Sequence, residues 1–399
     1  MKNRLIGGSL LIAGTTIGAG MLAMPLVCAS IGFPMSVLLL ITLWSLTTYS
    51  ALLILEISQY HAPGCGLVTL AACYLGKPGY WLIHSTLLLL LYSLIAAYLT
   101  AGGEQLADIL GSWLLPVMPK QGILLLTLLT ALVVGCGPKL IDAGNRLLFS
   151  LKMVAFLVML LLIMPHTQIR QLVALPQQSA AWLTAIPILL TAFGFHASLP
   201  SILHYLPKPF HKRRQMILLG STIPLSVYLL WQWAIQGLMP PQILSNFLQG
   251  NSGILGLLQA IKQFGIPTYI AGVVTLFAAL ALLTSLLGVA LGLFDHCLEH
   301  TSGASTLRHR FKAILYTFLP PLLFASIYPQ GFMRALGYAA IALAILALLL
   351  PVALVWKVRK QFPHGVYRAN GGTLALIITL CSGLMIIVIQ SAIRAGYWH

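Results

Sequence analysis

The sequence predicts an all-α integral membrane protein of about eleven transmembrane helices. Hydrophobic residues make up 59% of the 399 and charged residues only 7%, against roughly a quarter charged in ordinary soluble domains. The 22 basic and 6 acidic side chains cannot cover the surface of a water-soluble body of this length. Apolar runs of about 18 residues or more, each enough to cross a ~30 Å hydrocarbon core, recur along the chain.

In order, the predicted spans are 5–30, 34–58, 80–106, 121–137, 143–165, 182–206, 215–238, 268–294, 313–328, 333–356 and 373–394. The first follows Met1-Lys2-Asn3-Arg4. It reads as a retained helix, because a cleaved signal has a shorter apolar region and a small-residue cleavage site. With the N-terminus inside, 17 of the 22 Lys and Arg residues fall on the cytoplasmic side. The other five, Lys120, Arg170, Lys262, Arg334 and Arg394, fall outside. The positive-inside rule then places the N-terminus in the cytoplasm of a bacterial inner membrane and, with an odd number of spans, the C-terminus in the periplasm.

The net charge of +16 is thereby a topology signal. Its dispersal over short loops argues against a nucleic-acid partner. The compact cluster His211-Lys212-Arg213-Arg214 reads as a stop-transfer and anionic-lipid anchor. The external stretch from Met239 to Gly265 carries Leu255, Leu257, Leu258 and Ile261 at helical spacing. It reads as a short amphipathic helix over an external vestibule, or as a loop resting on the bilayer. The cysteines, Cys28, Cys65, Cys73, Cys136, Cys297 and Cys381, show no metal-ligand spacing, so neither a bound metal nor another cofactor is expected. Exposed apolar faces serve lipid and a second copy equally well, which leaves the oligomeric state open.

Two spans have an unusual centre. The first reads Ala13-Gly14-Thr15-Thr16-Ile17-Gly18-Ala19-Gly20-Met21 with Pro25 beyond. The sixth reads Thr191-Ala192-Phe193-Gly194-Phe195-His196-Ala197-Ser198-Leu199-Pro200. Glycine costs about 1 kcal/mol per residue in a helix interior and proline removes a backbone donor. Irregular backbone at membrane depth is tolerated where it lines a buried cavity. The competing readings are a GxxxG packing face for Gly14 and Gly18, and a proline kink with a structural histidine. Position favours broken helices. Spans one and six each open a set of five, and paired interruptions at corresponding places in two halves mark an inverted-repeat transporter. The halves are 1–165 and 182–356, with 373–399 an extra helix and tail. Freed N–H groups hold a carboxylate and freed carbonyls a cation or ammonium, so such a site suits an α-amino acid.

Few polar groups lie inside the spans. Lys152 stands six residues beyond Arg146, about 9 Å deeper along a helix. It reads either as a proton-coupling group, since intramembrane ionisable residues are functional candidates, or as a snorkelling anchor. His196 suits a substrate contact or a bond to a nearby carbonyl. Phe193 and Phe195 could wall an aromatic pocket or simply pack. Thr284-Ser285 offer hydroxyl ligands or back-bonding to the preceding turn. Tyr92, Ser93 and Ala96 put a polar group beside small residues, a weak pocket signal. The acids Glu56, Glu104, Asp108, Asp142, Asp295 and Glu299 fall near span ends and read as interfacial, with Glu104 a candidate external gate.

At this point the residues resemble a known family, the bacterial aromatic (and hydroxy) amino acid permeases, and within it the tyrosine-specific ones. The motifs are Gly14-Thr15-Thr16-Ile17-Gly18-Ala19-Gly20-Met21-Leu22-Ala23-Met24-Pro25, Asn145-Arg146 with Phe149 and Lys152, Phe193-Gly194-Phe195-His196, Gly288-Val289-Ala290-Leu291-Gly292-Leu293-Phe294-Asp295 and Phe318-Leu319-Pro320-Pro321. The likeness runs from residue 1 to the last span. It implies a proton-driven importer of aromatic amino acids with the leucine-transporter-type five-plus-five inverted fold and one added helix. The substrate's carboxylate and amine would then meet Thr15, Thr16, Gly18, Ala19 and Gly20. Phe193, Gly194, Phe195 and His196 would supply pocket and amine contacts. The fold's frequent sodium site would fall on Gly14, Ile17, Thr284 and Ser285, which Lys152 would reach in place of sodium in a proton-coupled member. Retention of both hydroxyls, Thr284 and Ser285, keeps sodium coupling open. The likeness does not settle tyrosine against phenylalanine or tryptophan.

An intramembrane enzyme would need paired acids, an HExxH motif or a nucleophile with its base, and the sequence shows none of these. A channel or a transport-like sensor would share the helices but lack ion-driven accumulation.

Overall fold

A computed structural model describes residues 2–61, 65–113, 117–136, 138–173, 181–205, 209–249, 253–263, 267–300 and 307–396. Among these the secondary structure is helical, with no strand. The chain runs α1 (Lys2–Thr16), a 3₁₀ turn Ala19–Ala23, α2 (Met24–Val27), α3 (Gly32–Ser58), α4 (Leu67–Trp113), α5 (Pro119–Cys136) and α6 (Pro138–Ile163). It continues through α7 (Ile169–Leu172), α8 (Ala181–Thr191), α9 (Leu199–Tyr205), α10 (Phe210–Leu238), α11 (Pro241–Gln249), α12 (Gly253–Gln263) and α13 (Thr268–His300). It closes with α14 (Leu307–Ile327), α15 (Phe332–Leu343), a π-helical segment Ala344–Leu349, α16 (Leu350–Gln361) and α17 (Gly372–Arg394).

Nine helices of the described residues are long and apolar enough to cross a membrane, and a bent pair, Arg4–Thr16 with Ala19–Val27 at 48°, makes a tenth. The protein is therefore a multi-pass membrane protein. The stretch expected as the sixth span is divided into α8 and α9, neither long enough to cross alone.

Its outside is apolar, the reverse of a soluble fold, and polar side chains are drawn into an interior that is otherwise apolar too. Leu132 is 67% and Leu161 70% exposed, whereas Ser36, Thr47, Ser221, Gln232, Thr317 and Lys152 are all buried. Without a hydrophobic drive between helices in lipid, close backbone approach at small residues supplies the packing. Gly103 of α4 shows this against α5: a Cβ there would stand 2.6 Å from Ile123 Cα. The central helices are α10, which packs on α1 and α3, and α13, which packs on α6 and α4.

Three details depart from the linear reading. Within α4, Gly76 takes φ 69 and ψ −161, a conformation closed to residues with a side chain. The expected span 80–106 is thus the second limb of a bent helix. The expected external stretch holds two helices rather than one, α11 and α12. Leu257, Leu258 and Ile261 are buried, because α12 packs on α4, α13 and the 3₁₀ turn Ala19–Ala23 rather than resting on lipid.

Glu56 is 2% exposed, not the interfacial acid its place in the chain suggests. Its carboxylate accepts from Arg359 Nε at 2.8 Å, Arg359 Nη2 at 2.9 Å and the Ala369 amide at 2.8 Å. Gln59 adds bonds to the carbonyl and amide of Tyr367. The end of α3 is thereby stitched to α16 and the loop after it. The side chains of Asp142, Glu299, Lys139, Lys208 and Lys262 lie outside the described residues.

Candidate functional site

The site is built where two helices stop being helices. In the first, β-branched Thr15, Thr16 and Ile17 lead into Gly18, whose φ of −138 and ψ of −166 are extended. The last regular bond of α1 is Ile17 N to Ala13 O at 2.8 Å. Past it, the carbonyls of Thr16 and Ile17 and the amide of Ala19 have lost their helical partners, and a buried backbone group cannot stay unpaired cheaply.

Side chains from three other helices meet these groups. Lys152 of α6 donates from Nζ to the Ile17 carbonyl at 2.8 Å and to Thr284 Oγ1 of α13 at 3.2 Å. The Ala19 amide donates to Ser285 Oγ at 2.9 Å. Tyr228 of α10 places its hydroxyl 2.6 Å from the Thr16 carbonyl. Three residues further along the same helix, Trp231 Nε1 donates to the Met21 carbonyl at 2.9 Å.

The second break spans residues 192–198, between α8 and α9. Its Ala192 carbonyl lies 2.7 Å from the same Tyr228 hydroxyl. The two breaks also touch directly: a Cβ at Gly20 would stand 3.4 Å from Ala192 Cα. At Gly18 a Cβ would stand 2.7 Å from Ser285 Oγ, so the absence of a side chain is what lets that hydroxyl reach the Ala19 amide. His196 is fully buried. Its Nε2 lies 3.0 Å from the Thr47 carbonyl of α3, a partner that accepts only, so Nε2 carries the proton and Nδ1 presents a lone pair. That Nδ1 has no hydrogen-bond partner among the described residues. The His196 ring stacks on Phe195 at 4.7 Å, and Phe193 meets Tyr228 edge to face at 5.3 Å.

The structure brings Lys152, Ile17, Thr284 and Ser285 to one place, with Gly14 beside the Phe149 ring that also lies under the Lys152 ammonium at 4.8 Å. Lys152 is 1% exposed, and its hydrogen-bond partners among the described residues are neutral oxygens. The side chain turns inward onto Ile17 and Thr284 rather than out of the bundle. The hydroxyls of Thr15 and Thr16 bond back to the preceding turn; Thr16 enters the site by its carbonyl, while the Thr15 side chain is exposed. Thr284 does both, back-bonding to Leu280 and Ala281 while accepting from Lys152. Tyr92 donates to the Tyr316 carbonyl on α14 at 3.0 Å, and Ala96 lies in the buried face of α4. Glu104 is 5% exposed, and the adjacent Gln105 donates to the Thr275 carbonyl of α13. No group of three His, Cys, Asp or Glu among the described residues could hold a metal ion.

Tyr228 and Trp231 are the residues at the breaks that the linear reading passes over. A signal was present. Both are aromatic with a polar tip inside an apolar span, and such tips find a partner when buried. The sequence does not say which partner.

Comparison with known proteins adds to this geometry. Residues 1–390 match the model of the tryptophan/tyrosine permease family. A protein named tyrosine-specific transport system 1, from Haemophilus influenzae, is 42% identical over 99% of this chain and 98% of its own length. The tryptophan-specific transport protein of the same organism is 33% identical over 99% of this chain and 97% of its own. A protein named glutamine transporter 2, from Aliivibrio fischeri, is 32% identical over 98% of this chain and 100% of its own.

Proposed function

The chain belongs to the tryptophan/tyrosine permease family, and from that premise we propose that it is a secondary active carrier importing aromatic amino acids, L-tyrosine foremost, by symport with protons. The observation that carries the coupling is the Lys152 ammonium on the Ile17 carbonyl and Thr284 hydroxyl. These are two of the oxygens that would otherwise surround a sodium ion, and a cationic side chain on them stands where a metal cation would. Burial of a charged amine without a carboxylate partner is costly, so gain and loss of this proton is strongly coupled to how the break is packed. The charged amine holds the Ile17 carbonyl by a charge-assisted bond, which the neutral amine replaces with a weaker one.

The substrate sits at the two breaks near the middle of the bilayer. Freed N–H groups of the first break meet its carboxylate, freed carbonyls of both breaks meet its ammonium, and Phe193 and Phe195 lie close by for its ring. Tyrosine is favoured over tryptophan by the higher identity to a relative named for tyrosine. The halves 1–165 and 182–356 form the inverted repeat, each opening with an interrupted helix, and α17 is the added helix. Alternating access then consists of the unit holding both breaks rocking against the rest. The excess of Lys and Arg on one side supports a cytoplasmic N-terminus in the inner membrane of a bacterium.

Sodium coupling is the second reading, favoured by the two hydroxyls Thr284 and Ser285 beside the break. Uptake of labelled tyrosine into proteoliposomes under an imposed proton or sodium gradient decides between them. Proton-driven accumulation is expected. Accumulation with sodium alone would move the coupling to Thr284 and Ser285, and no counterflow of labelled substrate would remove the carrier reading altogether.

A further inference from the structure

We infer that Tyr228 is the residue that sets recognition of the substrate's ammonium group, by holding the Thr16 and Ala192 carbonyls at a fixed spacing. The inference rests on the placement of the substrate at the two breaks. A phenolic hydroxyl has one proton to donate, yet this one lies 2.6 Å from one carbonyl and 2.7 Å from another, and both of these can only accept. The two oxygens come from different broken helices, are 176 positions apart in the chain, and are held by one atom. Tyr228 therefore has a single proton to share between the two. A carbonyl has a second lone pair in any case, so each oxygen can accept one bond beyond the one Tyr228 offers.

That arrangement fits a ligand group with several N–H donors and a positive charge; a hydroxyl could donate to only one of the two oxygens, and an ionised carboxylate to neither. The surroundings keep it rigid. The Tyr228 ring is fully buried and braced by Phe193, and Gly20 packs against Ala192, whereas the neighbouring Trp231 bonds to Met21 and to neither of the two carbonyls. Preorganised acceptors gain affinity because they need no ordering when the ligand arrives. Tyr228 is thus a positioning residue. It acts through two backbone oxygens, and it makes the site selective for amines over acids that share the same side chain.

The test compares binding of L-tyrosine with binding of 3-(4-hydroxyphenyl)propanoate, which differs by lacking the ammonium, to the purified full-length carrier in lipid nanodiscs. Because both ligands carry the same phenol ring and carboxylate, effects on the aromatic pocket cancel in the ratio of their Kd values. Tyr228→Phe is expected to weaken tyrosine about tenfold and leave the deaminated analogue unchanged, so the preference collapses by that factor. Trp231→Phe, which removes a bond to the first break alone, is expected to leave the ratio where it is. Phe193→Leu, which loosens the Tyr228 ring without removing a hydrogen bond, is expected to lower the ratio in the same direction, and it carries the test should Tyr228→Phe not fold. A ratio unchanged or raised in a folded Tyr228→Phe or Phe193→Leu protein, or lowered equally by Trp231→Phe, overturns the inference while leaving the carrier reading intact. Failure of the unmodified protein to bind any aromatic amino acid overturns both.

Discussion

The amine of Lys152 and the carbonyl of Ile17 are 135 residues apart in sequence and 2.8 Å apart in the fold. One is a buried cation, the other a backbone oxygen released by a broken helix. Neither is stable alone in a bilayer, because an unpaired buried charge and an unsatisfied carbonyl each cost several kcal/mol. Lys152→Ala is therefore expected to abolish pH-driven tyrosine accumulation in proteoliposomes, with exchange of labelled for unlabelled tyrosine surviving at reduced rate. Full accumulation by the variant would end the coupling role.

Ser285 accepts from the Ala19 amide, and replacement by alanine leaves that amide buried without a partner. The expected cost is about 1–3 kcal/mol, visible as a lower Tm in detergent and a raised KM for uptake. Gly18→Ala attacks the same contact from the other side, since its Cβ would stand 2.7 Å from the hydroxyl. It should impair transport at least as much. Uptake kinetics close to the unmodified protein in both variants would show that this contact does not shape the site.

The ion pair of buried Glu56 with part-buried Arg359 lends itself to a double-mutant cycle. Glu56→Leu alone takes the carboxylate from a guanidinium that is itself part exposed, a loss of about 1–3 kcal/mol, and Arg359→Met alone is the other single variant of the cycle. Glu56→Leu with Arg359→Met removes both charges and should recover most of the thermal stability. Additive losses in the double variant would mean that the two side chains stabilise the end of α3 independently.

Two glycines separate tight backbone packing from loose side-chain packing. A Cβ at Gly103 meets Ile123 Cα at 2.6 Å and Ile123 N at 2.7 Å, atoms that cannot move without shifting α5. A Cβ at Gly337 meets instead the amide end of the Gln390 side chain, which can swing away. Gly103→Ala should lower Tm in detergent by several degrees more than Gly337→Ala, and the opposite order would contradict this account of the α4–α5 contact.

For this protein the sequence by itself determined the solvent in which it folds. Apolar runs of bilayer length are a local property, so ten of the eleven expected spans could be drawn from composition and period alone. The places where helices one and six give way were legible for the same reason: glycine, proline and β-branched residues act on their own backbone. Lys152, Thr284 and Ser285 were visible one by one, because polar groups are conspicuous in an apolar run, but only the family resemblance put them together.

What serves the freed backbone was decided only by the tertiary structure. Nothing local says that Tyr228 spans the Thr16 and Ala192 carbonyls, that Trp231 reaches Met21, or that Glu56 is buried against Arg359 rather than facing the interface. Each of these pairings joins residues far apart in the chain. A hydrogen bond depends on where two atoms are brought, and in this molecule that is set by the packing of α10 against the first helix and of α16 against α3.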